Sequence, residues 1–228
     1  MSGEEILALI ADLPSRGHSR ISFVNADSLN LSHRLPLFRT ALTRCDFLLN
    51  DGIGVELAAR LRGRHFPENL NGTDFIVRVL SLAADREWRV FLYGGRPGVA
   101  ESAADALSRR IPGLTVVGTA NGYEAAEVAA EVAAADADLV VVGLGQPLQE
   151  LWLDANLHLT HCTLGIGGGA FLDFSAGRIS RAPGWMNTFG LEWLFRLSRE
   201  PQRLWRRYLL GNPLFLWRAW RLRAYDNA

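Results

Sequence analysis

Six short apolar runs, separated by longer stretches rich in Ala, Leu, Arg and Glu, dominate the sequence. Most of these runs are apolar throughout and rich in β-branched residues, which is typical of strands covered on both faces. Their alternation with helical stretches is typical of βαβ units. The runs are RISFVNA, CDFLLND, WRVFLYGG, LTVVGTA, ADLVVVGLG and HCTLGIGGG. The sequence therefore predicts an α/β fold with a doubly wound, mostly parallel, Rossmann-like sheet.

Helical periodicity fills the gaps between the predicted strands and continues after the last one. The predicted helices of the body cover residues 35–42, 55–62, 73–84, 98–111, 125–134 and 148–157. After residue 177 no strand is predicted, and the segments GLEWLFRLS, PQRLWRRYLL and NPLFLWRAWRLR have helical patterns. We therefore predict an α/β body over residues 1–177 and a basic helical appendage over residues 178–228.

The appendage is strongly basic, although the formal net charge of the whole chain is zero. It carries ten arginines against three acidic residues, a net charge of +7, and this leaves −7 for the body. Five of the seven tryptophans also lie in it. Within 201–210 one predicted helix face is apolar and the opposite face basic: Pro201, Leu204, Trp205, Tyr208 and Leu209 against Arg203, Arg206 and Arg207.

This charge pattern predicts an anionic partner, namely phosphate groups, an anionic membrane surface or nucleic acid. Nucleic acid is disfavoured because the arginines interleave with a hydrophobic face and form no exposed aromatic platform. Simple packing of the appendage on the body, with solvated arginines, is the structural alternative. The acidic N-terminus and the lack of an apolar run of roughly 18 residues predict a cytoplasmic protein.

The loops that follow the predicted strands are rich in Gly, Asn, Asp and Gln: NADSLN, NDGIG, GGRPG, GTANGY, GLGQPLQE and GGGAFLDFSAG. In open parallel sheets ligands bind beyond the carboxyl ends of the strands. Glycines in such loops let the backbone approach phosphate oxygens, so these loops predict the ligand site. The GGRPG loop departs from GxGxxG, and no acidic residue ends the next strand, so a nicotinamide cofactor is disfavoured and a nucleotide diphosphate is not.

Neither a metal nor another cofactor is predicted. Cys45 and Cys162 are far apart and the five histidines are scattered, so no zinc site or disulfide framework is indicated. The DAD sequence at 136–138 precedes a strand and is interpreted as a helix-to-strand turn. Stabilisation of negative charge is therefore expected from arginines and backbone dipoles.

Two motifs at the predicted ligand edge have a structural and a functional interpretation. Asp51 in NDGIG is, on local grounds, an ordinary helix N-cap, and the alternative is a carboxylate that takes part in a reaction. Gln146, Gln149 and Glu150 in GLGQPLQE are either capping residues of the following helix or groups that bind sugar hydroxyls or a base.

Taken in order, a set of segments resembles the WecG/TagA/CpsF glycosyltransferases, family 26 in the carbohydrate-enzyme classification. These segments are NDGIGVELAARLRG, NGTDF, VFLYGGRPGVAESAADALSRRIPGLTVVGTANGY, ADLVVVGLGQPLQELWL, LGIGGGAFLDFSAGRISRAP and GLEWLFRLSREPQRLWRRY. The similarity runs from about residue 20 to 210. The GLGxPxQE and RAPxW…GLEWxxR elements are unusual outside this family.

The resemblance implies an inverting transferase that moves a sugar from a UDP donor to a polyprenyl-diphosphate-linked saccharide at the cytoplasmic membrane face. Family members act in the synthesis of wall teichoic acid, enterobacterial common antigen and capsular or exopolysaccharides. Some self-associate, so the resemblance also allows a homo-oligomer. A non-catalytic, nucleotide-diphosphate-binding regulatory subunit is the alternative from another functional class.

By position, the resemblance implies that Asp51 is the general base. It implies that Gln149 lies near the sugar and nucleotide, that Asp173 lies near the uridine, and that Thr73 and Asp74 line the pocket. The appendage arginines would close over the diphosphate and dock on the membrane. The remaining predicted substrate-binding residues are Asn25, Asn30, Gly52, Gly94, Gly95, Gly145, Gln146, Glu150, Arg181, Arg203, Arg206 and Arg207.

Two positions depart from the family pattern. Phe23 stands where members often have Thr, and Asn69 stands where they often have Arg. Both changes are expected in the pocket, which leaves N-acetylmannosamine, N-acetylmannosaminuronic acid and glucose as alternative donor sugars.

Overall fold

In the computed structural model of the chain, residues 1–123, 127–180, 182, 186, 192–199 and 201–226 are described, those at 192, 196, 203 and 222–226 without their side chains. Six strands form one sheet, ordered β2-β1-β6-β5-β3-β4, and every neighbouring pair is parallel. The strands are β1 (Ser19–Val24), β2 (Phe47–Asn50), β3 (Arg89–Gly94), β4 (Thr115–Ala120), β5 (Leu139–Gly143) and β6 (Leu164–Gly167). The predicted α/β class with a parallel sheet is confirmed.

Helices flank the sheet: α1 (Gly3–Ala11), α2 (Ala26–Ser32), α3 (Pro36–Thr43), α4 (Ile53–Leu61), α5 (Gly72–Asp85), α6 (Val99–Arg110), α7 (Val128–Ala134), α8 (Leu148–Asn156) and α9 (Phe171–Ser175). A 3₁₀ turn, Leu157–Leu159, follows α8. All six predicted body helices are present, and the first two predicted residues of α7 lie outside the described residues. The sequence analysis did not predict α1, α2 and α9; α2 and α9 are short, with seven and five residues, whereas α1 is as long as the predicted α4 and α8.

The two faces of the sheet bury different residues of the same strand. In β3, Val90 and Leu92 face a core shared with α1, α5, α6 and α9, whereas Phe91 and Tyr93 face a second core shared with α7 and α8. Strands buried on both faces explain the unbroken apolar runs in the sequence. Full burial of each large side chain contributes about 1.5–3 kcal/mol, so the two cores fix the strand ends that carry the loops.

From residue 192 on, the described part of the chain forms four helical segments: α10 (Glu192–Arg199), α11 (Pro201–Trp205), a π-helical stretch (Arg206–Gly211) and α12 (Asn212–Asp226). Phe215 and Ala219 of α12 pack against Ala26 of α2 and Ala58 of α4. Within the described ranges, no strand follows residue 177, and no helix is long and apolar enough to cross a membrane.

The segment predicted as a helix over 201–210 is helical throughout, but only its first half is α-helical. Only Leu204 of its apolar face is buried, whereas Trp205 and Leu209 are 41% and 56% exposed. From Arg206 onward the geometry is π-helical, which bonds residue i to i+5 and rotates side chains such as Leu209 away from the α-helical stripe.

Candidate active site

A cleft of about 840 Å³ lies beyond the carboxyl ends of β3, β4, β5 and β6. Its floor is formed by the glycine loops that follow these strands, and its rim by the segment after α9 and by α10. The lining residues are Gly95, Arg96, Gly122, Tyr123, Gly143, Leu144, Gly145, Leu148, Gly169, Ala170, Asp173, Arg178, Ile179, Ser180 and Arg199. Three of the predicted site residues, Gly95, Gly145 and Asp173, therefore lie in one cleft.

Close backbone packing fixes the floor of the cleft. At Gly94, where φ is +135°, a Cβ atom would come within 2.5 Å of the Gly143 carbonyl. Gly95 donates its N–H to the Gly143 carbonyl at 3.3 Å, and Gly122 donates to the Gly95 carbonyl at 2.8 Å. Because a side chain at Gly94 would collide with backbone, glycine is required there for β3 and β5 to end side by side.

The cleft is cationic. The exposed side chains of Arg96, Arg178 and Arg199 line it, with Asp173 as the acidic residue among the lining side chains. Helix α8 also begins at the cleft, at Leu148, and its N-cap residue Pro147 provides no side-chain cap. Guanidinium groups and an uncapped helix N-terminus both favour phosphate oxygens. The arrangement can therefore bind a diphosphate.

The sequence analysis did not name Arg96, Arg178, Arg199 or Tyr123 individually as site residues, although it expected the appendage arginines as a group to close over the diphosphate. Arg96 lies in the GGRPG loop and Tyr123 in the GTANGY loop, so their position at the ligand edge was an available signal. Arg178 and Arg199 belong to the basic appendage, but its charge pattern did not separate these two from its other arginines, which are usually solvated.

Gln149 and Glu150 lie beneath the cleft floor, each only 2% exposed. The side-chain oxygen of Gln149, Oε1, accepts hydrogen bonds from Gly145 N–H at 3.1 Å and Gly169 N–H at 2.8 Å. Burial raises the pKa of Glu150, and hydrogen bonds from Gln149 and Gln146 oppose this shift only in part. Neither side chain caps α8 in the ordinary way, because the N-cap position is Pro147.

Asp51 lies on the same edge of the sheet, at the end of β2. Its N–H donates to the Val24 carbonyl at 2.8 Å, and its side chain is partly exposed. The N-cap residue of α4 is Gly52, with φ at +89°, so Asp51 stands one residue before the cap. Asn69 accepts the Gly52 N–H at 3.0 Å and thereby holds the turn that carries Asp51.

The two positions that depart from the family pattern differ in location. Asn69 contacts the Asp51–Gly52 turn. The Phe23 ring is 5% exposed, packs edge-on against Phe75 at 6.3 Å and fills the space beside Gly72. The expectation that the Phe23 side chain lies in the pocket is therefore wrong, because β1 points this residue into the core shared with α5.

The asparagines predicted to bind substrate make contacts within the protein. Asn25 is the N-cap of α2 and accepts from the N–H groups of Asp27 and Ser28, both at 3.1 Å. Asn30 is 7% exposed; its amide nitrogen donates to the Gly211 carbonyl and its oxygen accepts from Arg218, both at 2.8 Å. Asn30 therefore attaches the appendage to α2.

The remaining predicted site residues that the structure describes lie at the start of α5 and in the appendage. Thr73 and Asp74 begin α5, and Asp74 accepts from the side-chain amide of Asn71 at 2.8 Å. In the appendage, Arg207 pairs with Asp27 at 3.4 Å, and Arg206 stacks on Trp205 at 5.3 Å. Arg181 and the side chain of Arg203 lie outside the described part of the chain.

The cleft and Asp51 are close enough for one substrate to reach both. Strand β2 is two positions from β6 in the sheet, which corresponds to roughly 10 Å at the usual strand spacing.

No cluster of His, Cys, Asp and Glu side chains suited to a metal ion is found in the part of the chain that the structure describes. The DAD segment forms the predicted turn, where Asp138 accepts the Arg89 N–H at 2.8 Å.

Comparison with known proteins defines the class: the chain is a glycosyltransferase, because residues 1–227 match a model built for such enzymes. That model describes the glycosyl transferase WecG/TagA/CpsF family, and the chain belongs to this family.

Two curated relatives carry the name N-acetylglucosaminyldiphosphoundecaprenol N-acetyl-β-D-mannosaminyltransferase. The protein from Bacillus spizizenii strain W23 is 35% identical over 176 residues, which cover 76% of this chain and 68% of the relative. The protein from Bacillus subtilis strain 168 is 35% identical over 170 residues, which cover 74% of this chain and 66% of that relative. The matched region therefore spans about two-thirds of each relative's length.

Proposed function

We propose that this protein transfers a sugar from a UDP-sugar to a polyprenyl-diphosphate-linked saccharide, with inversion at the anomeric carbon, in the synthesis of a cell-surface polysaccharide. The observation that carries the proposal is the placement of an arginine-lined cleft and a single carboxylate, Asp51, on one edge of the sheet. Among the candidate donors, the names of the two relatives favour N-acetylmannosamine.

The cleft suits the donor nucleotide. Arg96, Arg178 and Arg199 supply positive charge for the diphosphate, and the positive end of the α8 dipole lies at the cleft beside them. Asp173 offers a carboxylate that can accept from the base or ribose. Tyr123 is 73% exposed at the rim, where its ring can stack on the uracil.

Asp51 is the proposed general base. It takes the proton of the acceptor hydroxyl as that oxygen attacks the anomeric carbon, and the bond to UDP breaks on the opposite face. A single displacement of this kind inverts the configuration. The negative charge that develops on the leaving diphosphate is stabilised by the cleft arginines and the α8 N-terminus, which are already in place before the reaction.

The appendage is the proposed membrane-docking element, which makes the protein peripheral on the inner membrane face. It exposes large apolar side chains beside arginines, with Trp205, Leu209, Leu210, Trp217 and Trp220 between 41% and 59% exposed. Arg221 stacks over Trp217 at 4.9 Å. Apolar side chains that enter the interface and cations that meet anionic headgroups are the two components of peripheral membrane binding.

Replacing Leu209, Leu210, Trp217 and Trp220 with serine should lower partitioning onto vesicles containing phosphatidylglycerol on the order of 100-fold, because the apolar component of binding is lost. The four positions are already exposed, so the fold and UDP affinity should persist. Leu37→Ser is the matched control, since Leu37 is 75% exposed on α3 of the body. Co-sedimentation gives the partition constants, and equal values for the wild type and the quadruple variant would contradict membrane docking.

A donor screen tests the proposed activity. UDP release is measured with UDP-N-acetylmannosamine, its uronic acid, UDP-glucose and UDP-N-acetylglucosamine, each with an N-acetylglucosaminyl-diphosphate lipid as acceptor. We expect UDP release with one donor only, UDP-N-acetylmannosamine, and only when the acceptor is present. UDP binding without transfer from any donor would instead support the regulatory subunit.

A further inference from the structure

A buried hydrogen-bond network lies under the carboxyl edge of the sheet, between the donor cleft and the end of β1. It consists of Gln146, Gln149 and Glu150 from the start of α8, together with the backbone groups that they bind. Gln149 and Glu150 are fully buried and Gln146 is partly exposed. These side chains are therefore not a surface that meets the substrate directly.

Gln149 holds two loops of the donor cleft together. Its single side-chain oxygen accepts from Gly145 after β5 and from Gly169 after β6. Both glycines have positive φ, +76° and +55°, and both line the cleft. The relative position of the two loops therefore depends on which way the Gln149 amide points, because a flipped amide would present its NH₂ group to two N–H donors.

Glu150 sets that orientation. Its Oε1 accepts from the Gln149 amide nitrogen at 2.9 Å and from the Gln146 amide nitrogen at 3.2 Å. The Gln146 nitrogen also donates to the Phe23 carbonyl at 2.7 Å, two residues before Asn25. One carboxylate oxygen thus fixes two amides, which connect the end of β1 with the loops of β5 and β6.

Two further observations indicate that this network is built for precision. Within the described part of the chain, Oε2 of Glu150 is buried without a hydrogen-bond partner, an unfavourable state that calls for an explanation beyond stability. Gly167 lies against the network, and a Cβ there would come within 2.9 Å of the Gln149 amide nitrogen. A larger residue at 167 would displace the amide that holds the two loops.

We propose that Glu150 is a positioning residue for the donor site: it orients the Gln149 and Gln146 amides and thereby keeps the Gly145 and Gly169 loops in the geometry that binds the donor. This inference rests on the proposed function for the identity of the donor. The role of Glu150 in holding the two loops does not depend on that function. Loss of the Glu150 acceptor should weaken donor binding in the ground state and the transition state alike, so KM should change more than kcat.

The test compares Glu150→Gln, Glu150→Leu and Gln149→Glu with the double variant Gln149→Glu/Glu150→Gln. Glu150→Gln keeps an acceptor oxygen, so donor KM should stay within about threefold of the wild type. Glu150→Leu removes it, and Gln149→Glu places two carboxylates side by side; each should raise donor KM at least about tenfold. The double variant restores a donor–acceptor pair between positions 149 and 150, but the new amide nitrogen at position 150 cannot also accept from Gln146. Donor KM should therefore recover in part, to a value between those of Gln149→Glu and the wild type.

Exchange of the Gly145 and Gly169 amide protons, followed by NMR, gives a readout that needs no catalysis. It should accelerate at least about tenfold in Glu150→Leu and Gln149→Glu and recover in part in the double variant. Glu101→Gln is the control, because Glu101 occupies the first turn of α6 with an exposed side chain. If Glu150→Leu does not fold, the pair Gln149→Glu and its double variant decides.

The outcomes separate the two hypotheses. A wild type that transfers no sugar, with amide exchange that responds as expected, contradicts the proposed function and supports the positioning role. A wild type that transfers sugar, with donor KM and amide exchange unchanged in the network variants, overturns the positioning role. Equal losses in Gln149→Glu and in the double variant would also overturn it.

Discussion

Asparagine in place of Asp51 is expected to reduce kcat about 1000-fold and to leave UDP affinity unchanged, since a general base typically contributes 10²- to 10⁴-fold. Asn has nearly the shape of Asp but cannot take a proton. The residue lies outside the cleft lining, at the end of β2, so nucleotide binding should not depend on it. The turn should survive, because Asn69 holds it through the Gly52 N–H.

Single-turnover transfer and calorimetric UDP binding measure the two effects separately. Asp85→Asn is the matched control, since Asp85 is an exposed carboxylate at the far end of α5. Full transfer activity in Asp51→Asn would show that proton removal relies on another group. A loss of UDP binding equal to the loss of transfer would show that Asp51 acts through the nucleotide site.

The Arg96→Ala/Arg178→Ala double variant is expected to bind UDP at least about 100-fold more weakly than the wild type. Hydrogen bonds to charged groups are the stronger class, and two guanidinium groups on one diphosphate are lost together. The side chains are exposed, so screening by salt should reduce the difference as ionic strength rises. In the double variant, lysine in place of alanine at position 178 (Arg178→Lys) should restore only part of the UDP affinity, because an ammonium group cannot make the bidentate contact.

Calorimetric titration with UDP at two salt concentrations checks this expectation. Arg110→Ala is the control, because Arg110 lies in the last turn of α6, at the opposite end from the GGRPG loop. Uridine should bind the double variant and the wild type with similar affinity, since it lacks the diphosphate. An equal loss of uridine and UDP affinity would argue that the arginines hold the loops and not the phosphates.

The sheet and the edge that carries the site could be predicted from sequence because both depend on local patterns. Apolar runs such as ADLVVVGLG identify buried parallel strands, and the rule for ligands at their carboxyl ends then points to the loops. Gly95 and Gly145, from two of these loops, line one cleft together with Asp173, whose predicted role came from the family resemblance. It also predicted the turn at 136–138.

Contacts between distant segments could not be predicted in this way. The partner of Asn30 is Gly211, 181 residues away, and nothing near Asn30 in sequence distinguishes an attachment residue from a sugar ligand. The π-helical stretch escaped because helical spacing assumes 3.6 residues per turn. Gln149 had two predicted interpretations, cap or ligand, whereas the structure uses its oxygen to join two loops.

The strand order divides the sheet at the β1–β6 pair, with β2 and β1 on one side and β6, β5, β3 and β4 on the other. The first pair comes from residues 19–50 and the other four strands from residues 89–167, so each side is encoded by one uninterrupted stretch of the gene. A single exchange of the gene between α5 and β3 would replace the strands that form the cleft and also the appendage, which packs on α2 and on α4, the helix that follows Asp51. The bond from Gln146 across this boundary ends on a backbone carbonyl, which every residue type at position 23 provides. The strand order therefore puts the proposed base and the proposed donor cleft on two consecutive stretches of the chain, and the appendage joins them again by packing on the first.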